Sequence, residues 1–198
     1  MADKIWDIEE MNRRLRKYID TNRYYHTQGV RFISAALAMA HGVDISRAET
    51  AGLLHDCAKC IPDAKKIKLC DKNNIRITDV ERNNPFLLHS KVGAYIAKEK
   101  YGITDEGILE AIRYHTTGKP GMTALEQIVF IADYIEPRRN KSRNLPTIRQ
   151  TAFRDLDECC YLILKDMLLY LHSKSGEIDS NTQDAFHFYE EVHDERRD

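Results

Sequence analysis

Apolar residues recur at intervals of three and four through most of the chain, while the alternation at two that marks a half-buried strand is hard to find. A chain patterned this way can bury its apolar stripes only by packing helix against helix, so the fold class is all-α. Helices are predicted over 8–20, 23–41, 46–59, 62–72, 85–101, 105–115, 123–136, 155–173 and 181–194. Ser46 with Glu49 and Thr123 with Glu126 have capping-box spacing, in which hydroxyl and carboxylate each satisfy an otherwise unpaired backbone N–H. Pro62 and Pro85 suit first-turn positions, where no N–H is needed. Gly42, Gly102, Gly118, Gly121 and Gly176 stand where helices should end. Between Pro137 and Pro146 the chain is irregular and basic, with Arg138, Arg139, Lys141 and Arg143, which reads as a solvated connection. No repeat or composition shift divides the chain. One domain is expected over 1–198: an N-terminal helix within 1–22, a core over 23–136, and the basic connection with C-terminal helices over 137–198.

The 198 residues, 42% hydrophobic and 31% charged, suffice for one sizeable core. Thirty basic against thirty-one acidic residues leave a formal charge of -1, so no net field draws the molecule to nucleic acid or to an anionic membrane. Met1 to Glu10 carries Asp3, Asp7, Glu9 and Glu10 where a secretory signal needs an apolar core, and no run reaches membrane-spanning length. A cytoplasmic location is expected, with neither nucleic acid nor membrane as partner. The odd number of cysteines suits free thiols in a reducing compartment. Cys57 and Cys60 form a CxxC, but no second such pair completes a zinc set.

Certain histidines and acids sit on the apolar faces of their helices. His26 is followed at helical spacing by Gly29, Ile33 and Leu37, and His89 by Val92, Gly93 and Ile96. His115 is preceded by Ile108, Ala111 and Ile112. His55 shares a face with Ala48, Ala51 and Gly52, small residues that admit a second helix closely. Asp133 follows Val129 and Phe130 by four and three residues, aiming a carboxylate at apolar surroundings, and Asp56 is placed alike. An ionised carboxylate there must be protonated, paired or metal-bound. One inward histidine is ordinarily a satisfied core residue; four, with two acids, on five helices are better satisfied by one shared centre. Imidazole and carboxylate without thiolate suit iron, manganese or zinc alike. A divalent ion at such a site lowers the pKa of bound water and neutralises charge on a phosphoryl oxygen.

The order of these residues, and the words around them, carry a resemblance: Tyr25-His26-Thr27, Leu53 to Lys59 as LLHDCAK, Leu87-Leu88-His89-Ser90, Tyr114 to Gly118 as YHTTG, and Ala132 to Pro137 as ADYIEP. Together they resemble the HD superfamily of metal-dependent phosphohydrolases, and within it the YqeK-type symmetrical dinucleoside tetraphosphatases, from about Arg23 to the last helix. The His-Asp doublet alone is weakly specific; HTTG with ADYIEP is much more so. The resemblance implies a single HD-domain helical bundle that hydrolyses diadenosine tetraphosphate to two nucleoside diphosphates, with iron as metal. Manganese and zinc stay open, as does a second ion near His89 and His115. By matching words, the metal ligands are His26, His55, Asp56 and Asp133. Substrate contacts are Arg23, Lys59, His89, His115, Thr116 and Arg139, for a dinucleoside polyphosphate or nucleoside diphosphate partner. A homodimer is an expectation of the same kind. The chain departs from the pattern at Cys57, where an apolar residue is usual, and in its very basic segment from Pro137 to Arg143, which leaves open which of Arg138, Arg139 and Arg143 meets phosphate.

Asp56 is then expected to hold and deprotonate a water, Lys59 to pair with phosphate one turn from His55, and His115 to serve as general acid, making these three the catalytic set. An HD nucleotidase, an alarmone hydrolase and a non-catalytic nucleotide-binding module remain rival functions. Tyr24 and Tyr25 suit either packing or a wall against a base. Trp6 with Ile5 and Ile8 suits anchoring of the first helix, Cys159 and Cys160 suit packing, and Gly176 to Ser180 could close over a nucleotide.

Overall fold

The computed structural model describes residues 7–140, 142–174 and 177–196, and among them eleven α-helices, one short 3-10 turn and no strand. The helices are α1 (Ile8–Leu15), α2 (Thr21–His41), α3 (Ile45–Leu54), α4 (Asp63–Lys72), α5 (Asp79–Asn83), α6 (His89–Tyr101), α7 (Glu106–Tyr114), α8 (Ala124–Ile135), α9 (Leu145–Ala152), α10 (Leu156–His172) and α11 (Ser180–Glu195), with the 3-10 turn over Pro85–Leu88. Among the described residues no helix is long and apolar enough to cross a membrane.

The bundle is organised around α8. Its run Leu125–Ala132 is buried on every side, as a helix apolar all round must be. Around it pack α2, α3 and α7 on one side and α9 and α10 on the other, with α6 behind α7 and α11 behind α10. Thr123 and Glu126 close the expected capping box at its start. The small-residue face of α3 does what its pattern implies. A Cβ on Gly52 would lie 2.7 Å from Ser34 Oγ and 3.1 Å from Arg31 Cα, so α2 and α3 approach to a distance only glycine permits. Gly42 and Gly102 end α2 and α6 in the left-handed conformation.

Several boundaries differ from expectation for identifiable reasons. The helix expected over 46–59 stops at Leu54, and 55–60 winds on as turns held by bonds such as Cys57 N–H to Leu54 O and Lys59 N–H to Asp56 O. Its N-cap is Asp44, which accepts from Arg47 N–H, rather than Ser46. The helix expected over 85–101 divides at His89, because a 3-10 turn fills its first four residues. The first helix is shorter than 8–20, ending at Leu15. Two helices lie outside the predicted set. One is α5, five residues long but opened by a Thr78–Glu81 capping box; the other is α9, which begins within the supposed connection with Pro146 in its first turn. Trp6, Ile5, Lys141 and Gly176 lie outside the described residues.

Candidate metal and phosphate site

The functional side chains gather where helices end. His55 caps α3, His89 begins α6, His115 caps α7, and Asp133 occupies the last turn of α8; His26 alone sits well inside its helix, in the second turn of α2. The ends matter chemically, because the last carbonyls of a helix have no intrahelical partner. Nδ1 of His55 meets Gly52 O, Nδ1 of His115 meets Ile112 O and Nδ1 of His89 meets Phe86 O, each at 2.7 Å. A carbonyl can only accept, so Nδ1 carries a proton, and Nε2 faces the centre as a lone pair in the neutral ring or as a donor in the protonated one. His26 reaches the same state by another route, its Nδ1 lying 3.1 Å from Oε1 of the buried Glu136.

All four Nε2 atoms face Asp56, which is 3% exposed. Its Oδ2 lies 3.4 Å from His55 Nε2 and 3.7 Å from His26 Nε2, and its Oδ1 lies 3.3 Å from His89 Nε2 and 3.6 Å from His115 Nε2. His26 Nε2 is 3.3 Å from His55 Nε2 and 3.0 Å from Asp133 Oδ1. The expected ligands His26, His55, Asp56 and Asp133 therefore converge, as do His89 and His115 beside them. Asp133 is partly exposed, not buried as its apolar neighbours suggested, since the end of α8 opens onto solvent. Burial opposes ionisation of Asp56, but attraction to the His55, His115 and His89 rings around it holds its carboxyl well below the usual range. Burial likewise opposes ionisation of Asp133, and the hydrogen bond from His26 with charge on His55 and Arg139 overcomes it.

These residues suit a divalent cation. One ligand atom from each of His26, His55 and Asp56 lies within 4.8 Å of the others, and the set is nitrogen and oxygen only. Asp56 Oδ1 is buried without a hydrogen-bond partner among the described residues, an arrangement costing roughly 1–3 kcal/mol or more unless a cation satisfies it. The CxxC contributes nothing: Cys57 is buried with its thiol towards Gly93 O, and Cys60 is exposed.

Cations ring the centre. Arg23 Nη1 is 2.6 Å from Asp56 Oδ2, Arg139 Nη2 is 2.6 Å from Asp133 Oδ1, and Lys59 Nζ is 3.1 Å from His89 Nε2. Thr116 Oγ1 lies 3.0 Å from His89 Nε2 and 3.1 Å from His115 Nε2. Burial pulls the Lys59 ammonium below its ordinary pKa, and burial likewise takes His89 well below its own, favouring a neutral ring.

A cleft of about 1150 Å³ opens from His26, His115 and Asp133 towards α10, walled by Phe130, Tyr134, Met167 and Tyr170. The basic segment read as a solvated connection lines this cleft through Arg138, Arg139 and Arg143. It is held in place by Asp166 of α10, which accepts from Ser142 Oγ and Asn144 Nδ2, each at 2.6 Å. Arg149 of α9 completes the hold by donating to the carbonyls of Ile135, Glu136 and Arg139. Sequence reasoning gives Glu136, Arg149 and Asp166 no role; only Glu136 stands within one of the family words, ADYIEP.

The HD domain family model matches residues 23–138, and the chain belongs to the HD domain family. Its relatives specify more. The symmetrical bis(5'-nucleosyl)-tetraphosphatase of Bacillus subtilis (strain 168) is 37% identical over 170 residues, covering 85% of this chain and 89% of that one. The protein of the same name from Staphylococcus aureus is 35% identical over 185 residues, covering 92% and 94%. A crystal structure from Clostridium acetobutylicum, described as a predicted HD superfamily hydrolase involved in NAD metabolism, superposes with a TM-score of 0.91 at 34% identity, covering 96% of this chain and all (100%) of that one.

Proposed function

We propose that this chain is a metal-dependent phosphohydrolase that cleaves diadenosine tetraphosphate symmetrically into two nucleoside diphosphates, with iron as its metal. The supporting observation is the division of groups around Asp56. Two carboxylates and two imidazoles stand on one side, and a lysine, a hydroxyl and two imidazoles stand on the other, at the end of a cleft large enough for a nucleotide. The names of the relatives, matched over most of both chains, supply the substrate.

In this proposal His26, His55, Asp56 and Asp133 hold one cation, which when bound makes water nucleophilic near neutral pH and offsets charge on a phosphoryl oxygen. Asp56, whose buried Oδ1 makes no hydrogen bond among the described residues, takes the proton of the attacking water. Lys59 and Thr116, both placed beside His89 Nε2, donate to the phosphoryl oxygens, and Arg23 bridges Asp56 and the incoming phosphate chain. His115, carrying a second proton on Nε2 while Nδ1–H stays on Ile112 O, gives that proton to the departing diphosphate. Arg139, paired with Asp133 as Arg23 is with Asp56, is the arginine of that loop assigned to phosphate, with Arg143 farther along the same cleft for an outer phosphate and Arg138 lying over the Tyr25 ring. The five free cysteines suit the cytoplasm as the place of action.

The test is product identification after incubating iron-loaded protein with diadenosine tetraphosphate. ADP as sole product supports the proposal; ATP with AMP overturns symmetric cleavage. NAD belongs in the same assay, because the similar Clostridium protein is described as involved in NAD metabolism. Faster turnover of NAD, of a nucleoside monophosphate or of a guanosine alarmone would displace the tetraphosphate as substrate.

A further inference from the structure

Three of the four central imidazoles are oriented by a backbone carbonyl at a helix end, and His26 is the exception. Inside α2 the nearby carbonyls serve the helix itself, so His26 has no free one to use. Its Nδ1 instead meets Glu136 Oε1, brought from the C-cap of α8 and only 1% exposed. That carboxylate has a seat. One turn beyond His26 stands Gly29, where a Cβ would fall 2.7 Å from Glu136 Oε2 and 3.3 Å from Glu136 Cβ, so any larger residue would displace the acid. Oε2 is held by Arg138 N–H at 2.7 Å, and the Glu136 carbonyl by Arg149 Nη2 at 3.0 Å. The group is thus fixed from the far side, and its remaining oxygen is aimed at one imidazole nitrogen.

We propose that Glu136 is a positioning residue of the metal centre, seated by Gly29, which fixes the tautomer and ring plane of His26 so that Nε2 points into the cage. A carboxylate partner also raises the basicity of the imidazole it orients, which a peptide carbonyl does less, so His26 becomes the strongest imidazole donor of the set. The proposal rests on His26 being a metal ligand, as proposed above.

The experiment uses the full chain loaded with zinc as a diamagnetic probe, with two readouts: zinc retention against a graded chelator, and long-range proton–nitrogen spectra of the histidine rings. Glu136→Ala should lower zinc affinity about ten- to a hundredfold, as loss of such a partner generally does. Glu136→Gln keeps an acceptor and should recover most of that loss. Gly29→Ala leaves the acid in place chemically but pushes it aside, so it should weaken zinc in the same direction. Combined with Glu136→Ala it should add little, because both act through one contact. The His26 Nδ1–H signal should disappear in Glu136→Ala and return in Glu136→Gln, while those of His55, His89 and His115 persist. If Glu136→Ala does not fold, Glu136→Gln and Gly29→Ala carry the test. Wild-type zinc affinity with an unshifted His26 signal in Glu136→Ala, or full additivity with Gly29→Ala, would overturn the proposal. A His26→Ala control separates the two levels: loss of zinc there with none in Glu136→Ala removes only the role of Glu136, whereas undiminished zinc in His26→Ala removes the ligand assignment and the proposal together.

Discussion

The two oxygens of Asp56 face different chemistry. Towards Oδ2 lie His26 and His55, with Asp133 as a second carboxylate 3.0 Å from the His26 ring; towards Oδ1 lie His89 and His115, attended by Lys59 and Thr116. Imidazoles in the same tautomer occur on both sides, so the histidines do not distinguish them. Their neighbours do. A second carboxylate adds an oxygen ligand and negative charge, met in this structure by Arg139, while an ammonium and a hydroxyl supply the donors that phosphoryl oxygens require. Each side holds ligand atoms close enough together for a cation, His26, His55 and Asp56 on one and Asp56, His89 and His115 on the other, so the contrast lies in what surrounds them.

Mutating each side should separate these roles. Asp56→Ala removes the group common to both, and turnover should fall to background with loss of bound metal; hydrolysis at the wild-type rate would end the assignment. His89→Ala should leave metal content, measured by elemental analysis, close to wild type while turnover collapses. Stoichiometric loss of a second ion from that variant would instead make the two sides alike. Lys59→Ala should lower kcat/KM by roughly ten- to a hundredfold, the worth of about 1.5–3 kcal/mol for a charge-assisted hydrogen bond. An unchanged kcat with a barely raised KM would make Lys59 a bystander. Gly52→Ala acts on the Oδ2 side alone, by forcing α2 from α3, and should cost about 1–3 kcal/mol in denaturant unfolding along with metal affinity. The smallest effect concerns thiols. Burial pushes Cys57 up to about 12 and Cys70 up to about 11, so at pH 8 iodoacetamide should modify exposed Cys60 and leave both unmodified, with activity retained. Rapid alkylation of Cys57 would mean that the floor beneath His55 is open.

Much of the fold was legible because helical periodicity is a local property of the chain. The long apolar helices α2, α8 and α10 fall close to their expected bounds. Short elements were not legible. Five residues of α5 carry too few apolar positions to show a period, although its Thr78–Glu81 capping box was there to be read. The start of α9 was hidden among arginines. Convergence of His26, His55, Asp56, Asp133, His89 and His115 was inferable, since several polar groups on apolar faces have few ways to be satisfied together. What held them was not. Gly52 O, Phe86 O and Ile112 O become acceptors for imidazoles only because α3, the 3-10 turn and α7 end where they do, and helix ends are set by tertiary packing as much as by local signals.

The residue pattern by itself determined an all-helical chain and the identity of the groups that must share one polar centre, since periodicity and the cost of burying charge act wherever the chain places those residues. Packing alone decided that Asp133 opens onto a cleft, that Glu136 crosses from α8 to His26 over Gly29, and that Asp166 and Arg149 turn a basic segment into a wall of that cleft. These are contacts between residues far apart in the chain, with geometry set by how closely two helices approach, and no local sequence window contains that distance.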